Sequence, residues 1–250
     1  MQNNIFNNTI AEHLAGSLLN KEKLRRVAHA PLDTAIKMLI EYGYEGDFTD
    51  TDIDEFIKKQ LDNLIWLVNE HVELQHLKSF LLKRFSIENA EQLNSINLEN
   101  AKKLGNYYAS YVRTEIDQLN ILTSFRAARL GFSEDGILAE LISGGTIDIK
   151  ELAANAANGA DCLFDGLNDT VYETSIDYLK KGNFALFRKL CQILLFNILE
   201  KEFNSFLGIG PFVKYFLAKL NEIKNIKFIL VCLKNDMTIN VDELWGVHDE

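Results

Sequence analysis

Very little in this sequence could build strands, disulfides or a membrane span. Two prolines in 250 residues, against many Leu, Ile, Ala, Lys, Glu and Asn, argue for helices over a strand-and-turn fold. The three cysteines, Cys162, Cys191 and Cys232, are odd in number and contain no CxxC. They exclude a disulfide framework, and each lies in an apolar helical stretch where a reduced, buried thiol is expected. The opening MQNNIFNNTIAEH has no basic segment leading into an apolar one, so no secretory leader is expected. The most apolar region, residues 184–207, is interrupted by Arg188, Lys189, Glu200, Lys201 and Glu202. It therefore lacks the ~18 uninterrupted apolar residues of a bilayer span, and a cytoplasmic chain is expected.

Positive charge is also scarce. There are 26 Lys and Arg against 36 Asp and Glu, for a net charge of −10. A general nucleic-acid binder needs a basic footprint, so that class is disfavoured and a basic partner fits better. The sequence has no GxxxxGK[ST], GxGxxG, HExxH or GxSxG, so nucleotide-binding, zinc-protease and hydrolase readings lack their minimum parts. Asp50, Asp52 and Asp54 are spaced like the opening of a calcium loop. Glu55 stands where that loop needs Gly, however, and Leu61 where it needs the bidentate Glu, so the run reads as a helix start. His71 and His76 are five apart, about 140° round a helix, and miss the spacing of three or four that metal ligands want. No catalytic, cofactor-binding or metal-binding residues are expected.

What is present is a globular composition, 47% hydrophobic and 25% charged, with apolar residues in helical steps. Residues 8–41 read as two helices, the first ending near Leu19 and the second, over 30–42, with Pro31 near its first turn. Long helices are expected over residues 50–85 and 98–130, the latter capped by Asn97 and stopped by Gly131. Short helices follow over 135–142, 149–157, 160–167 and 171–180, then one over 184–207. The strongest pattern is 208–234, where Pro211 suits a first helical turn and Phe212, Val213, Phe216, Leu217, Leu220, Ile223, Ile226, Leu230 and Leu233 form one stripe. A short helix over 240–245 closes a single all-helical domain, residues 1–250, with internal modules of about 1–90, 91–165 and 166–250.

The centre of the strongest helix has partial copies. Glu222-Ile223-Lys224-Asn225 aligns with Glu115-Ile116-Asp117-Gln118 at a shift of 107, and Glu73-Leu74-Gln75-His76 lies a further 42 back. Residues 39–44 and 167–172 share Leu-x4-Tyr at a helix end. Amphipathic helices of like composition also align by chance, but three copies on long helices weigh against that. The spacing suggests related helices packed about a pseudo-symmetric axis, with Glu222 and Asn225 holding helix against helix.

Three ordered stretches, VRTEIDQLNILTSFRAARLG (112–131), LISGGTI (141–147) and GPFVKYFLAKLNEIKNIKFIL (210–230), closely resemble the C subunits of the A-type and bacterial V-type rotary ATPases, whose eukaryotic counterpart is the V-ATPase d subunit. The family's central-helix pattern is met at Ile116, Asp117, Asn120, Ile121, Thr123, Arg126, Ala127, Arg129 and Gly131. Its final-helix pattern is met at Pro211, Tyr215, Lys219, Glu222, Ile223, Asn225 and Ile226. The resulting repeat motif is Glu73, His76, Glu115, Asn120, Arg126, Glu222 and Asn225. The resemblance implies an all-α, funnel-like body of related helical modules in pseudo-threefold arrangement. Its implied role is a non-catalytic rotor part without cofactor or bound nucleotide, a monomer within a hetero-oligomeric complex on the cytoplasmic face of the membrane. It would couple central shaft subunits of D and F type to the membrane proteolipid (c/K) ring during proton or sodium-ion transport.

The departures concern the first third. Only 42 residues separate the first two copies, and the family's DxHNLK reads Glu73-Leu74-Gln75-His76-Leu77-Lys78, so the first module is expected to be shortened. Acidic residues such as Asp50, Asp52 and Asp54 are expected to face basic loops of the ring. The alternative is a stand-alone helical scaffold or protein-binding module without a rotor role.

Overall fold

The computed structural model of the protein describes residues 2–47, 52–83, 90–203 and 209–244, with backbone alone for 2–7 and 90–96. Its helices are α1 (Gln2–Ala15), α2 (Lys21–Ala28), α3 (Leu32–Glu41), α4 (Ile53–His71), α5 (Gln75–Leu82), α6 (Ala90–Leu104), α7 (Asn106–Leu130), α8 (Glu134–Glu140), α9 (Ile149–Ala157), α10 (Ala160–Asp165), α11 (Glu173–Lys180), α12 (Phe184–Phe203) and α13 (Gly210–Lys234). No strand occurs among the described residues. The fold is all-α, as the composition requires.

Several expected helices are broken, each at an identifiable residue. The N-terminal stretch forms three helices: the chain leaves α1 at Gly16, and Asn20 caps α2 by accepting from the Lys23 N–H at 2.9 Å. Pro31 sits at the N-cap of α3, just outside the helix. The helix expected over 50–85 is two. Buried Val72 and then Leu74 take extended backbone between α4 and α5, a conformation that suits a β-branched residue. The acidic run does cap α4, with the Asp52 carboxylate accepting from the N–H groups of Asp54 and Glu55, whereas Asp50 lies outside the described residues. The helix expected over 98–130 splits at Gly105, whose φ of +132° favours glycine. Gly131 ends α7 with φ of +72°, a left-handed cap. The closing helix is a 3-10 turn, Val241–Glu243, and Trp245 lies outside the described residues. Among the thiols, Cys191 and Cys232 are buried but Cys162 is exposed, correcting the expectation of three buried cysteines.

The chain divides into two compact units, Met1–Glu73 with Glu200–Glu250, and Leu74–Leu199. The first is organised on α13, which packs against α1, α2, α3 and α4. Its stripe of Phe212, Val213, Phe216, Leu220, Ile223, Ile226 and Leu230 is buried, with Leu24, Ile36, Leu39, Phe56 and Val68 also in the core. Each such side chain contributes about 1.5–3 kcal/mol by leaving water. The second unit is organised on α7, which packs against α6, α8, α9 and α10 over a core that includes Ile121, Phe125, Leu152, Phe164, Tyr172 and Phe187. No helix among the described residues is long and apolar enough to cross a membrane.

Candidate functional site

Each unit has one long helix with a buried carboxylate at its middle. An ionised carboxylate is costly to bury unless its lone pairs meet donors, so the donors define the site.

On α13, Glu222 is 5% exposed. Its Oε1 accepts from the Tyr44 hydroxyl and from Lys219 Nζ at 2.6 Å, one turn back on the same helix. Its Oε2 accepts from the backbone N–H of Leu19. Lys219 Nζ also donates to Tyr44 Oη at 2.9 Å and lies 4.1 Å from the centre of that ring, a cation–π contact. Local structure places these groups. Gly43, with φ of +96°, turns the chain after α3 so that Tyr44 folds back and its N–H reaches Leu39 O. Leu19 immediately precedes the Asn20 cap, so its N–H is not used inside α2. Burial, and then the Glu222 charge, hold the Tyr44 phenol far above its ordinary range. The same causes push Tyr215 up to about 12. Near neutral pH both phenols keep their protons, and the Tyr44 hydroxyl donates to Glu222.

On α7, Asp117 is fully buried. Its Oδ1 accepts from the N–H of Thr146 at 2.9 Å and of Ile147 at 3.1 Å. Its Oδ2 accepts from the Tyr172 hydroxyl at 3.0 Å and from the Thr146 hydroxyl. Burial, and then the Asp117 charge, raise the Tyr172 phenol well above its ordinary range. The loop that carries Thr146 comes so close that a Cβ on Gly145 would stand 2.0 Å from Asp117 Oδ1. One turn on, Asn120 makes a two-way clasp on Ile142, donating to its carbonyl at 2.8 Å and accepting from its N–H at 2.9 Å. Gln118 donates to Cys191 O at 3.0 Å.

The two arrangements follow one plan. Leu19 and Ile147, the helix caps Asn20 and Asp148, the loop residues Gly16 and Gly144, and the tyrosines Tyr44 and Tyr172 are each 128 residues apart. Glu222 and Asn225 stand 105 residues after Asp117 and Asn120. Acid and amide are three apart on both helices, so they share a face.

Of the motif residues read from sequence, Glu222 is the hub of the first arrangement, Asn225 is partly buried one turn away, and Asn120 is buried and bonded. Glu115 is partly buried and Arg126 exposed. Glu73 is exposed in the extended segment between α4 and α5, and His76 opens α5, with Nδ1 3.3 Å from Asn100 Oδ1. That copy therefore lies at a helix break and not, as expected, inside a long helix. His71 ends α4, so the two histidines occupy different helices. The residues that sequence reasoning left out of the motif are Asp117, Tyr44, Tyr172, Thr146 and Lys219. The shared Leu-x4-Tyr did mark both tyrosines. An amide three residues on follows both Glu115 (Gln118) and Asp117 (Asn120), and only requiring that amide to be Asn, as in Glu222 with Asn225, would have selected Asp117. Among the described residues no group of three His, Cys, Asp or Glu side chains could hold a metal ion. Both carboxylates accept from donors of the chain itself, so the arrangement ties loops to helices.

The family model described as ATP synthase (C/AC39) subunit matches residues 67–240, which include both α7 and α13. The C subunit of the A-type ATP synthase of Desulfurococcus sp. (strain SY) is 30% identical over 129 residues, covering 50% of this chain and 35% of that protein. The corresponding C subunit of Methanococcoides burtonii is 30% identical over 130 residues, covering 49% of this chain and 36% of that protein. The similarity thus spans little more than a third of the length of these curated relatives. With the family match running over more than half of the sequence and through both carboxylate-bearing helices, the chain belongs to the ATP synthase (C/AC39) subunit family.

Proposed function

We propose that the chain is a non-catalytic rotor subunit of an A- or V-type ATPase, coupling central shaft subunits of D and F type to the membrane proteolipid ring during ATP-linked proton or sodium-ion transport. The observation that carries this reading is the family match over residues 67–240, supported by the nature of the two buried acids. A part that transmits torque must resist shear between its helices and loops. Hydrogen bonds to a buried, ionised acceptor are stronger than neutral ones and are held in one geometry. In this reading Asp117, Asn120, Glu222 and Asn225 are structural. Glu222→Ala lowers the melting temperature together with assembly. Lost ring or shaft binding at unchanged melting would make the motif a docking surface instead.

The deciding experiment is co-purification. Tagged chain expressed in its native host brings down proteolipid and shaft subunits if the rotor reading holds. Recovery of neither sinks it and leaves the stand-alone helical scaffold.

A further inference from the structure

The exposed positions of α13 are Lys214, Lys224, Lys227, Phe228, Val231 and Lys234. The helix carries five lysines and one acid, and that acid, Glu222, is buried. Its solvent face is therefore basic in a chain of net charge −10. Helical spacing gathers Lys224, Lys227, Phe228, Val231 and Lys234 onto one side, and from Lys214 the stripe runs about 30 Å. Phe228 is 48% and Val231 39% exposed. Single exposed apolar residues are ordinary, but here two are adjacent on a helical face and rimmed by lysines. At one edge Asp54 of α4 pairs with Lys227 at 2.7 Å. The corresponding positions of α7 in the other unit, 105 residues earlier, include exposed Arg126 and Arg129 and, matching Lys224, exposed Leu119. They too combine apolar and basic side chains without an acid.

We propose that this face of α13 is a docking surface for an acidic amphipathic helix of a partner protein, whose apolar seam meets Phe228 and Val231 and whose carboxylates meet Lys224 and Lys234. A stripe running along one helix fits a second helix laid along it, and the charge sets both orientation and approach. An anionic bilayer fits less well, since the net charge of the chain opposes approach and two apolar side chains give little to insert.

The test uses the full chain and a synthetic helical peptide of about 24 residues, ~36 Å long, with Glu flanking a Leu seam, beside its Gln-for-Glu counterpart. The acidic peptide binds, more weakly as salt rises, and the Gln peptide binds poorly. Lys224→Glu with Lys234→Glu, and separately Phe228→Ser, weaken binding by about tenfold or more at unchanged melting temperature. Should the double charge reversal disturb folding, Lys224→Gln with Lys234→Gln provides the same readout. Equal affinity for the two peptides, or variants that bind like the parent, overturns the proposal. So does binding to phosphatidylglycerol vesicles without peptide binding, which assigns the face to a membrane. A dimer in sedimentation that Phe228→Ser dissolves overturns it as well, assigning the face to a second copy. None of these results bears on the rotor assignment, which co-purification decides.

Discussion

Glu222 in the first unit and Asp117 in the second use the same kinds of donor, a phenol and a backbone N–H just ahead of a capped helix, yet the surroundings differ in two linked ways. Asp is one methylene shorter than Glu, so its loop must come to it. Thr146 and Ile147 both reach Asp117, and Gly145 has no room for a Cβ. Glu222 reaches further. Among the described residues the backbone N–H that meets it is that of Leu19, and Ser17, the counterpart of Gly145, keeps a side chain that is exposed and donates to Leu14 O at 2.6 Å. The second difference is charge. The donors on Asp117 are neutral dipoles, whereas Glu222 has Lys219 at 2.6 Å. One acid length brings a tight glycine loop, and the other leaves a gap that a lysine fills.

Asp117→Ala has the largest expected effect, because it strands the buried Tyr172 hydroxyl and removes the acceptor that holds the exposed Thr146 and the partly buried Ile147 through the Thr146 hydroxyl and both N–H groups. Denaturant unfolding of the full chain should lose about 3–5 kcal/mol, and a loss below about 1 kcal/mol would remove Asp117 as the anchor of its unit. Gly145→Ala comes next, at about 3 kcal/mol, since the clash is with a carboxylate fixed by its donors and not with a flexible tip. Glu222→Ala should cost about 2–3 kcal/mol, less than the loss of Asp117, because Lys219 is 17% exposed and can turn to water. If Glu222→Ala proves the costlier of the two acid deletions, the lysine relieves nothing.

Alkaline pH tests the Glu222 side separately. Tyr215 has its folded value at about 12 against an ordinary 10.0. The unfolded chain therefore loses this proton first. The stability Tyr215 contributes is complete below pH 10 and is lost as pH rises through about 12, amounting to about 1.4 kcal/mol near pH 11. Tyr215→Phe should flatten the alkaline limb of the stability curve by that amount, and an unchanged limb would show that Tyr215 ionises as readily folded as unfolded.

The helical class was legible because apolar residues repeat every three or four, and the inward face of α13 followed from that stripe alone. Helix α9 was legible to the residue, since Asp148 caps it and Asn158 follows it. The breaks at Val72 and Gly105 were not legible, because periodicity is blind to a single backbone turn when the stripe continues on both sides. Asp117, which the family resemblance names in the central helix, was missed by the internal repeat for a different reason. A charged residue on the buried face runs against the pattern, and its donors lie 29 to 55 residues away, so no local window contains them. Glu115, partly buried, matches Glu222 in residue type and so masks the acid that shares its role.

Ser17→Ala, at the position matching Gly145, should change stability least. The two sites differ in whether the loop must touch the acid. At Gly145 even a methyl group collides, whereas position 17 already has a Cβ, so alanine introduces no new atom. What is lost is the exposed hydroxyl bond to Leu14 O and a hydrogen bond to Tyr215 that works against the upward shift of its phenol. An exposed hydrogen bond of this kind is worth about 0.5–1 kcal/mol, so unfolding of Ser17→Ala should lie within about 1 kcal/mol of the parent. The reciprocal change, Ser17→Gly, should gain nothing, because the longer Glu222 does not draw this loop inward. A cost for Ser17→Ala as large as that for Gly145→Ala would mean that the N-terminal loop is pressed against its carboxylate too, and that acid length does not set the distance.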